Sequence, residues 1–344
     1  MAQTISLSVL VLALMLNNKI INFERERIEA WLELWVRVSV VLTVFFGSLY
    51  VGPLYVLGDQ VHYRRIYSGL AELTLFQGYT FYTTSIDSLE FVHFFLSWIA
   101  SRILDKDVFV ALANAFLAWV AFGVFVKWKA SIYIAALLVI TNYYLVAMYF
   151  SAERLKFGFI FMGLSFLYLG RAGFFYSFSF LALISHAQTI IVYFALFFRL
   201  LCEQFLRFSL TGRVSKYLFI VVVLLLLPTA LIMDQLLSKF NSYYEGIRGA
   251  NELMRVLIFF FLTLYYAKKK PEVICIFVSL IATVMLVGGE RVNLLAYFAF
   301  LYYALPVNKG LNFGVLFTGV YFAFGSFEYV LNIFEYGNNK PPEL

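Results

Sequence analysis

Apolar runs recur along the whole chain, most of them long enough or nearly long enough to cross a hydrocarbon layer of about 30 Å. They fall at 5–17, 38–57, 108–126, 130–150, 156–170, 172–185, 187–201, 217–233, 253–267, 272–288, 292–305 and 311–327. Each predicts a helix, because a helix satisfies its own backbone hydrogen bonds in lipid. A membrane β-barrel would need strands of about ten residues with strict alternation, and VVVLLLLPTALIM (221–233) does not alternate. The pattern predicts an all-α fold: a polytopic helical membrane bundle of about 12 transmembrane helices, forming a single transmembrane domain over 1–344. Segment 90–104 is short and begins at Glu90. It is expected to enter the membrane without fully crossing, the alternative being a further span.

Four connections interrupt the apolar pattern. Three are long and polar, at 18–37, 58–89 and 234–252, and the fourth, 199–216, is basic and amphipathic. Lys and Arg concentrate in cytosolic loops. Lys19, Arg25, Arg27, Arg37, Lys127, Lys129, Arg199, Arg207, Arg213, Lys216 and Lys268–Lys270 therefore mark the inner side. This makes 199–216 a basic cytosolic loop, and 58–89 and 234–252 outer-face loops. It also makes 172–201 a hairpin with His186 at its outer tip. A competing count treats 172–198 as one helix and moves Arg154 inside. The amino-terminal run lacks the basic region and small-residue cleavage site of a signal peptide and is expected to be the first membrane helix.

Composition supports this class. The 344 residues are 63% hydrophobic and 13% charged, with 40 Phe and 24 Tyr. The net charge of +6 is accounted for by basic cytosolic loops, so nucleic-acid binding is not needed to explain it. Cys202 and Cys275 have no metal-site or redox spacing and read as free thiols. There is no Walker A sequence, nucleotide-binding glycine fingerprint or HExxH. No cofactor is implied, no motif requires a metal, and activated substrate would have to arrive already in the membrane.

Against that background, LGDQVHYRRIY (57–67) is unusually polar. Asp59, Tyr63 and Tyr67 are spaced to form one helical stripe. The stripe fits either an interfacial tyrosine helix or a carboxylate beside aromatic platforms for sugar rings, able to activate a hydroxyl. Under the preferred topology Glu90, Glu153, Arg154, His186, Arg248, Arg255 and Arg291 lie at the same outer face. Ionisable groups at membrane depth are functional candidates by default, although an Arg near a helix end also snorkels and a lone His is often structural. Several arginines could hold the anionic leaving group of a lipid-linked pyrophosphate without a metal.

GDQVHYRRIY, SLEFVHFFLSWI, the long segment from YFSAERLKFGF to the histidine in LISHAQTIIVYF, and GGERVNLLAYFAFLYYALP follow one another in an order that resembles the EpsG/Wzy type of bacterial polysaccharide polymerase. Phe91 and Val92 stand where that family usually has Pro-Gly. The resemblance implies a GT-C-like glycosyltransferase in the bacterial inner membrane with a periplasmic-face active site. It would transfer a growing glycan from undecaprenyl pyrophosphate to a lipid-linked repeat unit, in O-antigen, capsule or exopolysaccharide synthesis. The implied partners are the lipid-linked donor and acceptor, the bilayer and a chain-length regulator protein. The implied roles are catalytic for Asp59, Glu90 and His186, and substrate-binding for Tyr63, Tyr67, Arg154, Arg248, Arg255 and Arg291. A flippase or transporter of lipid-linked oligosaccharide, and another lipid-dependent transferase, are the rival readings.

Overall fold

A computed structural model describes residues 2–86, 89–186, 188–212, 250–287 and 289–340, with side chains from residue 27 onward except 202, 205, 206, 250–252, 285–287 and 289–291. Arg248, the apolar run 217–233 and nearly all of loop 234–252 lie outside the described residues, as does the side chain of Arg291. The helices are α1 (Ala2–Val51), α2 (Asp59–Leu70), α3 (Leu75–Ile86), α4 (Phe91–Ala100), α5 (Lys106–Lys127), α6 (Ile132–Thr141), α7 (Tyr143–Phe150), α8 (Glu153–Leu167), α9 (Ala172–Ser185), α10 (Thr189–Thr211), α11 (Ala250–Tyr266), α12 (Lys270–Val287), α13 (Gly289–Ala304) and α14 (Phe313–Tyr336). No strand occurs among the described residues.

Three helical stretches, Arg27–Leu54, Lys106–Lys127 and Val307–Tyr336, are long and apolar enough to cross a membrane. A fourth candidate is the pair α6 and α7, bent by 50° at Asn142. The outer helices carry exposed Phe46, Phe317, Phe324 and Phe327 around a buried apolar interior, a surface suited to lipid rather than water. Several other apolar helices, such as the 15-residue α8 and 14-residue α9, reach only about 21–23 Å at 1.5 Å per residue. Helix α4 has 10 residues and is too short to cross, as expected for 90–104.

Two predicted connections are corrected. Residues 18–37 do not form a loop, because α1 runs through them unbroken. They contain neither Gly nor Pro, and charged residues alone do not stop a helix. Residues 199–211 likewise continue α10, which ends at Gly212 with a left-handed φ of 65°. Loop 58–89 contains two helices, and the predicted 130–150 span is broken. Asn142 caps the second half, its side chain accepting from the N–H groups of Tyr144 and Leu145. Ser326 donates to the carbonyl of Thr141 at 2.8 Å.

Helix α5 packs against α1 and α8, α8 pairs with α9, α10 with α12, and α11 with α12 and α13. Their directions sort the charges. Lys127 donates to the Leu167 carbonyl, Ser131 N–H to that of Lys309, and Gly314 N–H to the Tyr266 hydroxyl. Arg199 pairs with Glu272 at 2.8 Å. These contacts gather Lys127, Lys129, Arg171, Arg199, Lys268–Lys270 and Lys309 at one end of the bundle. At the other end the N–H groups of Val56 and Leu57 meet the Gly337 carbonyl, Gln60 meets Phe150, and Arg64 pairs with Asp107. Helices α2–α4 sit there as a unit with its own small core of Ile66, Leu70, Tyr82 and Phe94.

Candidate functional site

At the end away from Lys127, Lys129 and Lys268–Lys270, two linked polar groups are built into the junction of α2, α4, α5, α8 and the α9–α10 break. The first centres on Arg154, in the first turn of α8. Its Nη1 lies 3.1 Å from Glu90 Oε2, and its Nε donates to the Tyr63 hydroxyl at 3.0 Å. Glu90 stands just before α4 in a non-helical conformation (φ −70°, ψ 82°). Its other oxygen, Oε1, lies 3.3 Å from His186 Nε2. His186 itself is where α9 stops: its backbone is extended (φ −159°, ψ 130°), and its Nδ1 accepts the Gln188 N–H at 3.0 Å. That bond leaves Nε2 as the nitrogen that carries the proton in a neutral imidazole. Four residues spread over more than 120 positions of sequence thus share one contact chain, Tyr63–Arg154–Glu90–His186.

The second group is more deeply buried. Glu153 Oε1 accepts from Lys106 Nζ at 2.8 Å and from Gln60 Nε2 at 2.7 Å, and Lys106 also donates to Gln60 Oε1. Glu153 Oε2 faces His93 Nε2 at 4.0 Å, and His93 Nδ1 lies 2.9 Å from the Tyr82 hydroxyl. Gln60 also donates to the Phe150 carbonyl at 2.7 Å. Lys156, one turn into α8 and 1% exposed, donates to the Tyr149 carbonyl at 3.3 Å. Buried ions persist only when paired and hydrogen-bonded, which explains why each carboxylate here has at least two partners.

The stripe Asp59, Tyr63 and Tyr67 does lie on one helix, but its members differ. Asp59 is exposed at the start of α2 and close enough to Tyr63 to act on it electrostatically. Tyr63 is buried, and burial pushes its phenol up to about 12, so it stays neutral. Tyr67 donates to the Leu104 carbonyl at 3.1 Å and stacks on Phe109. It ties α2 to the start of α5 and stands outside the Arg154–Glu90 contacts. Arg255 is exposed near the start of α11, within electrostatic reach of Tyr144. Arg291 lies in the first turn of α13. The direction of these helices places both at the site's end of the bundle, apart from the Arg154 contact chain.

The pattern of the sequence did not single out Gln60, Lys106, His93 or Tyr82. Lys106 lies between Asp105 and Asp107, which answer its charge locally, so nothing in its position announced Glu153. Among the described residues no three His, Cys, Asp or Glu side chains are grouped to hold a metal ion. No protein-family model, curated protein or solved structure matches the chain.

Proposed function

We propose that the protein is a membrane glycosyltransferase of the polysaccharide-polymerase type. It would act at the outer face of a bacterial inner membrane and transfer a glycan from a polyprenyl pyrophosphate to a lipid-linked acceptor. The observation that carries this reading is the convergence of Tyr63, Glu90, Arg154 and His186 at the end opposite Lys127, Lys129, Arg199 and Lys268–Lys270. Reading those residues as the cytosolic ones puts the convergence outside. The donor's pyrophosphate gains charge as the glycosidic bond breaks, and the planar guanidinium of Arg154 suits it. Arg255 and Arg291 stand at the same end for the second lipid-linked substrate. Among the three acid–base candidates, Glu90 is ion-paired and both ring nitrogens of His186 are engaged. Exposed Asp59, beside Tyr63, is the group placed to take the acceptor's hydroxyl proton.

One observation favours the transporter reading. The break between α6 and α7 at Asn142 is of the kind that lines binding sites in transporters. Here, however, its capping groups are spent on Asn142 and Ser326. The test is reconstitution of the purified protein with lipid-linked repeat units. A ladder of glycan lengths formed without other proteins supports the polymerase. Movement of the oligosaccharide across the vesicle membrane without any new linkage supports the transporter and overturns the polymerase.

A further inference from the structure

The chain Glu90–Arg154–His186 has a second property, which rests on the polymerase reading for the identity of its ligand. Arg154 Nη1 and His186 Nε2 come from different elements, yet they lie 3.1 and 3.3 Å from the two oxygens of one carboxylate, within ion-pair range but without hydrogen-bond alignment. His186 offers a proton there and not a lone pair, because its Nδ1 already accepts the Gln188 N–H. Two donors converging on two oxygens is how proteins recognise carboxylate or phosphate alike.

Access and mobility separate the members. The Glu153–Lys106 pair is sealed, with side chains 5% and 8% exposed, whereas the Arg154 side chain is 24% exposed. Arg154 and His186 are mounted on the main bundle. Glu90 stands just before α4, which shares the Ile66–Leu70–Tyr82–Phe94 cluster with α2 and α3 but also sends Val92 and Leu96 into the main core. A rotamer change of the Glu90 side chain, with α4 held in place, would withdraw the carboxylate and leave the two donors where they are.

We propose that Arg154 and His186 form a binding site for the phosphate groups of a lipid pyrophosphate, and that Glu90 is its built-in occupant, displaced when that ligand binds. Glu90 would hold the site closed and compensate its charge until a donor arrives. A ligand gains only the difference between its own interactions and those it replaces. Removing the charge of Glu90 should therefore tighten binding, where loss of an ordinary binding residue would weaken it.

The test is calorimetric titration of the full-length protein in nanodiscs with farnesyl pyrophosphate and, separately, inorganic pyrophosphate. Glu90→Gln should lower the Kd for farnesyl pyrophosphate by about tenfold or more, within the range usual for coupled sites. Adding His186→Gln to Glu90→Gln should reverse the gain. If Glu90→Gln accumulates poorly, Glu90→Asp, too short to reach both donors at once, should show a smaller gain in the same direction. Unchanged or weaker binding by whichever variant folds would overturn the proposal, as would a gain confined to inorganic pyrophosphate. Because no glycan transfer is measured, the outcome is independent of the ladder assay. Tighter binding without ladders would leave the anion site standing and remove the polymerase; ladders without tighter binding would do the reverse.

Discussion

At the scale of single residues, the site divides into groups that hold the fold and groups that face a ligand, and the two respond differently to substitution. Lys106 belongs to the first kind. Lys106→Ala leaves Glu153 buried without its cation, a loss of about 3–5 kcal/mol. It should appear as a large drop in denaturation midpoint in detergent. Replacing Lys106 with Met and Glu153 with Leu together should restore most of that stability, since a well-packed apolar pair often matches a buried ion pair. Asp59 belongs to the second kind. Asp59→Asn, at an exposed position, should leave the denaturation midpoint unchanged while slowing glycan transfer by about 10²–10⁴-fold. A wild-type rate in that variant would return the α2 stripe to an interfacial role. Arg154→Lys tests geometry at constant charge. It removes the Nε–H that donates to Tyr63 while keeping a positive charge near Glu90, and a hydrogen bond to a charged group is worth about 1.5–3 kcal/mol. Transfer should fall by at least about tenfold at matched protein level.

Among elements, the close approach of α8 to α5 rests on Gly163. A Cβ there would lie 2.4 Å from Val120 Cγ1, and a valine in a helix has one strongly preferred rotamer and cannot turn aside. Gly163→Ala should therefore destabilise the bundle by about 1–3 kcal/mol, despite the better helix propensity of Ala. Asn142→Ala removes the cap of α7 and should cost about 1 kcal/mol, measured in the same denaturation experiment. The elements also show what could be read from the sequence. Apolar runs located most helices, the stripe 59–67 announced α2, and the polar interruption at His186 announced the end of α9. The arms on either side of His186 diverge, α9 packing mainly on α8 and α10 mainly on α12. The continuity of α1 through 18–37 was missed because polarity was taken for a break, although the stretch has no helix-breaking residue. The kink at Asn142 was missed for the opposite reason: one capping residue inside an apolar run barely changes its hydropathy. The contact of Glu90 with Arg154 and His186 has no local signature, since it depends on how α4, α8 and α9 pack.

For the whole molecule, the position of the site opposite Lys127, Lys129 and Lys268–Lys270 is a statement about orientation that labelling can check. In a background with Cys202 and Cys275 replaced by Ser, Arg102→Cys at the site's end should react with an impermeant thiol reagent added outside intact spheroplasts. Lys129→Cys at the basic end should react only after permeabilisation; labelling of both from outside would remove the outer-face assignment. The separate core of α2–α4 has a consequence for the energetics of opening. The cluster of Ile66, Leu70, Tyr82 and Phe94 is small beside the main core, to which α2–α4 are joined by Val92, Leu96 and the Tyr67–Phe109 stack as well as by ion pairs, and small units open at lower free energy than the core they rest on. Amide hydrogen exchange should resolve this, with α2–α4 exchanging as a group well before the amides of α5 and α8. Raising the salt concentration, which screens the partly exposed Arg64–Asp107 pair, should hasten exchange in that group alone.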